Sequence, residues 1–204
     1  MNQPVRFVRY AGFSMIEVLV TLVILLFGLL GLVGLQGRAT LAETESYQRT
    51  QALVLLRDMA DRISANRVSA DSYITASPRG SGWTGASDCS ALASIALTDL
   101  CQWDHSLKGA AEASGTCDPS TTTGASCVGA MLGARGCVTD VTPGGATTKQ
   151  YLVQVVWQGL IPSATPPDSV TCASPLLGPA LYGGDDRLRR AVTTVVQIGN
   201  LDLP

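Results

Sequence analysis

The hydrophobic pattern of the chain begins with a polar leader, continues as an uninterrupted apolar run and then becomes one-sided. The apolar run covers residues 18–35 and contains no charged side chain. Together with the apolar residues that start at Phe13, it reaches the roughly 20 residues that a helix needs to cross a hydrocarbon core of about 30 Å. The run therefore predicts a membrane-spanning helix near the start of the chain.

The charges around this run predict its orientation. Arg6, Arg9 and the amino terminus are the only cations before Arg38, so the positive-inside rule predicts a cytoplasmic leader and an extracytoplasmic remainder. The alternatives are a cleaved signal peptide and a plain signal anchor. The apolar core is longer than the roughly 7–15 residues of a signal peptide, and residues 40–42 form a poor cleavage site. A plain anchor does not need Glu17, because an unpaired carboxylate in lipid is costly.

Beyond the apolar run, apolar residues recur at helical spacing and form one stripe. The members of the stripe are Ala52, Leu55, Leu56, Met59, Ala60 and Ile63. The sequence thus predicts one long helix over residues 13–66, with a membrane half at about 13–37 and an amphipathic half at about 38–66. Asp58 and Arg62 are spaced for a surface ion pair.

Glycines recur through the first half of this helix and leave two interpretations open. They are Gly28, Gly31, Gly34 and Gly37. Their small size favours close packing against another helix. Their low helix propensity favours a bend or local melting once the segment leaves lipid.

The remaining residues, 67–204, predict a single extracytoplasmic head of ordinary domain size. Short helices are predicted at residues 91–100 and 103–113. Segments rich in β-branched residues predict strands at residues 137–141, 151–157 and 191–198. Helices first and strands later predict an α+β head, in which an antiparallel sheet packs on the long helix.

The cysteines all lie on the side predicted to be outside the cytoplasm. An even number in an oxidising compartment indicates disulfide bonds, although spacing alone does not choose the pairing. Zinc binding is the alternative, but the chain has no Cys-x-x-Cys and only one histidine, His105, so no metal site is assigned. The disulfide candidates are Cys89, Cys101, Cys117, Cys127, Cys137 and Cys172.

Composition and motifs exclude several functions. The net charge of −2 gives no basic footprint for nucleic acid. The chain contains no Gly-x-Ser-x-Gly elbow, His-Glu-x-x-His motif or phosphate loop, so it is predicted to be neither an enzyme nor a cofactor-binding protein. His105 follows Asp104 in a predicted helix, where neighbours point apart, which favours a solvated or capping histidine. Residues 183–186 leave a calcium-binding turn as a weaker alternative.

The sequence GFSMIE at residues 12–17, placed before the apolar run, resembles the class III leader of type IV pilins and type II secretion pseudopilins. The resemblance implies cleavage by a prepilin peptidase between Gly12 and Phe13, followed by methylation of the new amino terminus at Phe13. It also implies that Glu17 acts in docking to other subunits.

The resemblance narrows to minor pilins of the PilV type, the type IV pilus modification proteins, through residues 18–36 and 58–66. It implies a type IV pilin-like fold, a Cys89–Cys101 disulfide and a role in priming pilus assembly, with consequences for adhesion and twitching motility. The implied partners are other minor pilins, the major pilin and a large tip adhesin. The implied location is the bacterial inner membrane with a periplasmic head, and then the pilus tip. Alternatives are a type II secretion minor pseudopilin and a membrane-tethered periplasmic enzyme or binding module.

Processing of the leader gives a testable prediction. The peptidase must approach the backbone closely at the scissile bond, so Gly12 should tolerate no side chain larger than a methyl group. Mass spectrometry of protein from its native membrane should show a chain that begins with N-methylated Phe13. The Gly12→Val variant should keep its leader, whereas Gly12→Ala should be cut. A wild-type chain that retains Met1, or one that begins near Glu43, would contradict the prediction.

Overall fold

A single long helix connects the apolar run to the head. The computed structural model describes residues 12–110, 131–174, 182 and 186–199. Its first helix, α1, is Met15–Ala65 and continues through Gly28, Gly31, Gly34 and Gly37. The chain divides into two compact units, Met1–Glu43 and Thr44–Pro204, and α1 contributes to both.

The second unit adds a short 3-10 helix, a second α-helix and a sheet. In chain order, the elements are the 3-10 helix Arg67–Tyr73, β1 Arg79–Gly80, α2 Ile95–Leu107, β2 Leu132–Asp140, β3 Lys149–Gln158 and β4 Arg189–Ile198. The strands form one antiparallel sheet in the order β1-β2-β3-β4. The predicted α+β head with an antiparallel sheet is therefore confirmed.

The helical part of the head differs from the prediction. One helix, α2, replaces the two short helices expected at residues 91–100 and 103–113, and Ala113 lies outside the described residues. The helix begins later than expected because Ser94 is its N-cap, with its hydroxyl accepting a hydrogen bond from the Leu97 amide at 3.2 Å. No glycine or proline follows Leu100 to end the helix there.

The strands predicted at residues 151–157 and 191–198 lie within β3 and β4. Most of the segment predicted at 137–141 belongs to β2, which begins earlier, at Leu132, and ends at Asp140. The sequence underestimates β2 because its first half contains glycines, which weaken a strand signal. One of them, Gly136, lies opposite Val155 in the ladder.

The core lies between the helices and one face of the sheet. The stripe of α1 enters it as predicted: Ala52, Leu56, Met59 and Ile63 are buried, and Leu55 and Ala60 pack against them in part. Alternate residues of β3 face this stripe, namely Tyr151, Val153, Val155 and Trp157. Trp103 of α2 is fully buried, and its indole N–H donates to the Leu55 carbonyl oxygen at 2.9 Å. Helix α2 is thereby held to both α1 and the sheet.

The opposite face of the sheet carries a smaller apolar cluster around a disulfide. Cys137 of β2 is bonded to Cys172 in the segment that follows β3. Val156, Val170 and Tyr182 pack around it. The closed loop spans 35 residues of sequence, which corresponds to about 4 kcal/mol of stabilisation in the chain-entropy description.

A second disulfide joins Cys89 to Cys101, as the resemblance implied. It ties the segment between β1 and α2 to α2 itself. The other two candidates, Cys117 and Cys127, lie outside the described residues. No described cysteine is free.

Glu45 fastens the start of the second unit to the end of the sheet. Its Oε1 atom accepts hydrogen bonds from the backbone amides of Leu160 and Ile161, at 3.2 and 3.3 Å. It also pairs with the Arg190 guanidinium of β4 at 3.2 Å. Gly159 makes room for that guanidinium, because a Cβ atom there would meet the Arg190 side chain. One carboxylate therefore connects α1, β4 and the segment after β3.

The close approach of Trp103 to Gly136 gives a prediction about stability. A Cβ atom at Gly136 would overlap the buried indole ring, and overpacking of this kind costs about 1–3 kcal/mol. We expect Gly136→Ala to lower the free energy of unfolding by that amount, measured by urea denaturation of the full chain in detergent.

The matched control is Gly144→Ala. No atom lies within 4 Å of the position that its Cβ would take, so we expect a change within about 0.5 kcal/mol. Equal effects of the two substitutions would show that Trp103 does not constrain Gly136.

Candidate functional site

The predicted processing segment precedes the first turn of α1. Gly12, Phe13 and Ser14 are exposed and non-helical, and α1 begins at Met15. The Ser14 carbonyl oxygen accepts the Glu17 amide at 3.0 Å, which closes the first turn. The Gly12 Cα also faces open space, with no atom near its missing Cβ. A protease can therefore reach the Gly12–Phe13 bond without unwinding the helix.

The apolar half of α1 exposes hydrophobic side chains on every side. Every residue from 15 to 35 is exposed, including Phe27 at 71% and Leu30 at 67%. The window that qualifies as a candidate membrane span has no buried residue within the structure. A helix that is apolar all round needs a non-aqueous environment, either lipid or other helices.

Glu17 is the acidic side chain in the first turn of this apolar helix. The amino-terminal end of a helix carries a partial positive charge, so a carboxylate is favourable there. The stabilisation from the helix dipole is smaller than the several kcal/mol that an unpaired carboxylate costs in hydrocarbon. The position therefore requires a cation from outside the helix if α1 is inserted in a membrane.

A polar network, which the sequence did not predict, joins the end of α1 to α2. Arg62 pairs with Asp58 at 3.0 Å, as spacing suggested, and also with Asp99 of α2 at 2.7 Å. The Tyr73 hydroxyl donates to the other Asp99 oxygen, and Asn66 donates to that hydroxyl at 3.2 Å. Despite partial burial, the two carboxylates raise the pKa of Arg62. The network fixes the 3-10 helix between α1 and α2.

A second unpredicted feature is a buried ion pair between Asp104 of α2 and Lys108, the C-cap residue of that helix. Lys108 donates to Asp104 and to the Trp83 carbonyl oxygen, each at 2.8 Å. The other Asp104 oxygen accepts the Gly80 amide. The Arg79 guanidinium lies 3.8 Å from the Trp83 ring centroid, and burial lowers its pKa, although Asp104 acts in the opposite direction. These contacts hold β1 and the following loop against α2.

His105 has a different environment from the solvated or capping one expected. It is half-buried, and its Nδ1 atom lies 3.6 Å from the Cys89 sulfur. Its Nε2 atom lies 2.9 Å from the Ala86 carbonyl oxygen. Cys89, Cys101 and His105 form a cluster with metal-ligand geometry, but its sulfurs are joined as a disulfide.

The proposed calcium turn gains no support. Gly183, Gly184 and Asp185 lie outside the described residues. The Asp186 carboxylate binds the Arg189 guanidinium through both oxygens, at 2.7 and 2.6 Å. Arg189 in turn donates to the Val170 and Cys172 carbonyl oxygens, so this carboxylate is already used within the head.

Surface grooves on the described part of the head hold no recognisable catalytic arrangement. One groove of about 660 Å³ is lined by Trp83, Arg135 and the Cys137–Cys172 disulfide among others. Another, of about 710 Å³, is lined by Lys149, Asp71 and neighbouring residues. Lys149 pairs there with Asp71 and Asp140, which together raise its pKa. Both carboxylates belong to ion pairs and give no sign of an activated nucleophile.

Two family models match segments in about the first half of the chain. Residues 8–33 match the prokaryotic N-terminal methylation motif. Residues 34–106 match the Tt1218-like family, described as type IV pilin Tt1218. No significant match was found among curated proteins or among solved structures.

The two matched segments are adjacent in sequence, and each contains different elements of the structure. The first contains residues 12–17 and most of the apolar run. The second contains the amphipathic half of α1, the 3-10 helix, β1, most of α2 and the Cys89–Cys101 disulfide. The chain is therefore type IV pilin-like and carries an N-terminal methylation motif.

The hydrogen bond between Tyr73 and Asp99 predicts how stability depends on pH. Burial, reinforced by this hydrogen bond, raises the pKa of Tyr73 from 10.0 to about 12. Because the folded-state pKa is the higher one, the phenol stabilises the fold fully below about pH 10, and this contribution is lost as the pH rises through about 12. Tyr73→Phe should lower the free energy of unfolding by about 1–3 kcal/mol at neutral pH.

The difference between wild type and Tyr73→Phe should narrow as the pH rises from about 10 towards about 12. Urea denaturation at several pH values, followed by tryptophan fluorescence, measures the difference. Tyr47→Phe is the control, because Tyr47 is exposed. A difference that stays constant with pH would contradict the assigned role of the Tyr73 hydroxyl.

Proposed function

We propose that this chain is a minor pilin of the PilV type, which helps to prime type IV pilus assembly and becomes part of the pilus tip complex. The observation that carries the proposal is the position of Glu17, in the first turn of an exposed, uniformly apolar helix. The methylation motif and the pilin match support it. The resemblance at residues 58–66 supports the narrower PilV type.

In the proposed sequence of events, the prepilin peptidase cuts between Gly12 and Phe13 and methylates the new amine of Phe13. The exposed, non-helical backbone at these residues supports cleavage at this bond. The chain is held in the bacterial inner membrane by the apolar half of α1, with its head in the periplasm. The described disulfides support an oxidising compartment for the head.

Cleavage creates the cation that Glu17 needs. The new amine lies four residues before Glu17 in sequence, and in a neighbouring subunit the same amine lies at a similar membrane depth. A carboxylate without a partner is costly in a membrane-spanning helix. Pairing with the amine of a neighbour removes this cost and sets the axial register between the two helices.

The proposed role is non-enzymatic. The apolar half of α1 and the head each bind different partners. The apolar half of α1 binds the corresponding helices of other minor pilins and the major pilin. The head, which is exposed beyond the membrane in this arrangement, contacts other minor pilins and a large tip adhesin.

Substitution of Glu17 tests this function. Glu17→Ala should leave cleavage at Gly12 and membrane insertion nearly intact, because neither requires the carboxylate. Breaking a charge pair in a low-dielectric environment costs about 3–5 kcal/mol, so co-purification with other minor pilins should fall at least about tenfold. Surface piliation, counted by electron microscopy or by shearing and immunoblotting, should fall with it.

The matched control is Glu43→Ala, which removes an exposed carboxylate further along α1. We expect this variant to assemble like wild type. If Glu17→Ala supports piliation as well as wild type does, the docking role is wrong. If it lowers protein secretion across the outer membrane and leaves piliation unchanged, the chain is a type II secretion pseudopilin.

A further inference from the structure

The Cys89–Cys101 disulfide has an imidazole beside it. Nδ1 of His105 lies 3.6 Å from the Cys89 sulfur, and Nε2 lies 3.9 Å from the Cys101 sulfur. One ligand atom from each of the three residues lies within 4.8 Å of the other two. Among the histidine, cysteine, aspartate and glutamate side chains of the described residues, these three form a group that is close enough to share a metal ion.

The ring of His105 is already oriented as in a metal site. Its Nε2 atom lies 2.9 Å from the Ala86 carbonyl oxygen, which can only accept a hydrogen bond, so Nε2 carries the proton. In a neutral ring, Nδ1 then has a free lone pair, and this atom faces the Cys89 sulfur. Histidines that bind metals usually donate their other N–H to a carbonyl or carboxylate oxygen in this way.

We propose that Cys89, Cys101 and His105 form a redox-exchangeable zinc site, which is closed as a disulfide when oxidised and binds Zn²⁺ when reduced. A dithiol reductant opens the site: its two S–H bonds become one S–S bond, while the Cys89–Cys101 bond becomes two thiols. Zinc then binds both sulfurs as thiolates and Nδ1 of His105, and the two thiol protons pass to water. A water molecule completes the tetrahedron.

Distances support this geometry. Zinc lies about 2.3 Å from a thiolate sulfur and about 2.0–2.1 Å from an imidazole nitrogen, so neighbouring sulfur and nitrogen ligands in a tetrahedron are about 3.6 Å apart. The Nδ1 to Cys89 sulfur distance is 3.6 Å. The two sulfurs, which are bonded in the disulfide, must separate to about 3.8 Å in the same tetrahedron. Cys101 and His105 are one turn apart on α2, so the loop residue Cys89 supplies the movement.

The other described disulfide lacks these features and serves as an internal comparison. Cys137 and Cys172 are 6% and 2% exposed. Cys101 is also buried, at 6%, but its partner Cys89 is half-buried, so a reductant can reach this disulfide through the Cys89 sulfur. His105 is the only histidine of the sequence, so Cys137 and Cys172 have no imidazole of their own. A zinc site with a histidine ligand can therefore form only around His105.

The test uses the full chain in detergent, reduced with dithiothreitol and then freed of it under anaerobic conditions. Zinc titration should change the ¹⁵N signals of the single histidine ring, with Nδ1 becoming the coordinated nitrogen. Cobalt substitution should give tetrahedral d–d bands together with thiolate charge transfer. Before reduction, neither signal should appear.

Two variants separate this site from general thiol binding. His105→Gln should lower zinc affinity at least about tenfold. Removing a group that only hydrogen-bonds to a metal ligand already costs about 10–100-fold, and His105 is proposed as a ligand itself. Ser106→Ala, next to it on α2, should bind like wild type, because the Ser106 hydroxyl bonds back to the Gln102 carbonyl oxygen and faces no sulfur.

Three results would overturn the proposal. The first is that the histidine signals of the reduced wild-type protein do not change when zinc is added. The second is that wild type and His105→Gln bind zinc with equal affinity. The third is that the oxidised and the reduced protein bind zinc equally well. The histidine signals of wild type decide the matter even if a variant fails to fold.

Discussion

The head depends on the packing of one face of α1 against one face of the sheet. Ala52, Met59 and Ile63 are completely buried there, and β3 places four consecutive alternate side chains against them. A four-stranded sheet with an apolar face needs such a cover, because its hydrophobic side would otherwise lie in water. Trp103 extends the cover to α2, and the Cys137–Cys172 disulfide lies in the apolar cluster on the opposite face.

The same helix also satisfies a second, opposite constraint. Its first half exposes apolar side chains on all sides and carries no charge between Glu17 and Arg38. Its second half buries one stripe and places Asp58 and Arg62 on a polar network. The first half of α1 therefore suits a non-aqueous environment, whereas its second half suits the surface and core of the head. Glu17 is a charged group in the apolar half, and it needs a cationic partner there. This is the physical basis of the docking role proposed for it.

Local sequence patterns predicted the α1 stripe and the strands β3 and β4. Helical spacing of apolar residues predicted the stripe, and β-branched content predicted the two strands. The disulfide between Cys89 and Cys101 came from the resemblance, because spacing does not choose among pairings.

The missed polar contacts depend on residues far apart in sequence. Asp99 meets Arg62 only after α2 packs on α1, and Lys108 meets the Trp83 carbonyl only after the loop folds back. His105 faces the disulfide only once that loop is closed. For Gly136 a signal was present, since a glycine inside a strand marks a close approach, but the sequence does not say that the approaching group is Trp103.

The three contacts of Glu45 also determine how the head responds to tension. If the chain is a pilus subunit, as proposed, tension on the filament would be carried by α1. Glu45 lies at the first turns of the second unit and binds both Arg190 in β4 and the backbone after β3. Part of a force carried by α1 therefore passes through one carboxylate into the two best-paired strands, which share a ladder from Lys149 with Ile198 to Gln158 with Arg189. This ladder is the longest in the sheet, so a load that enters through Glu45 is shared among many backbone hydrogen bonds.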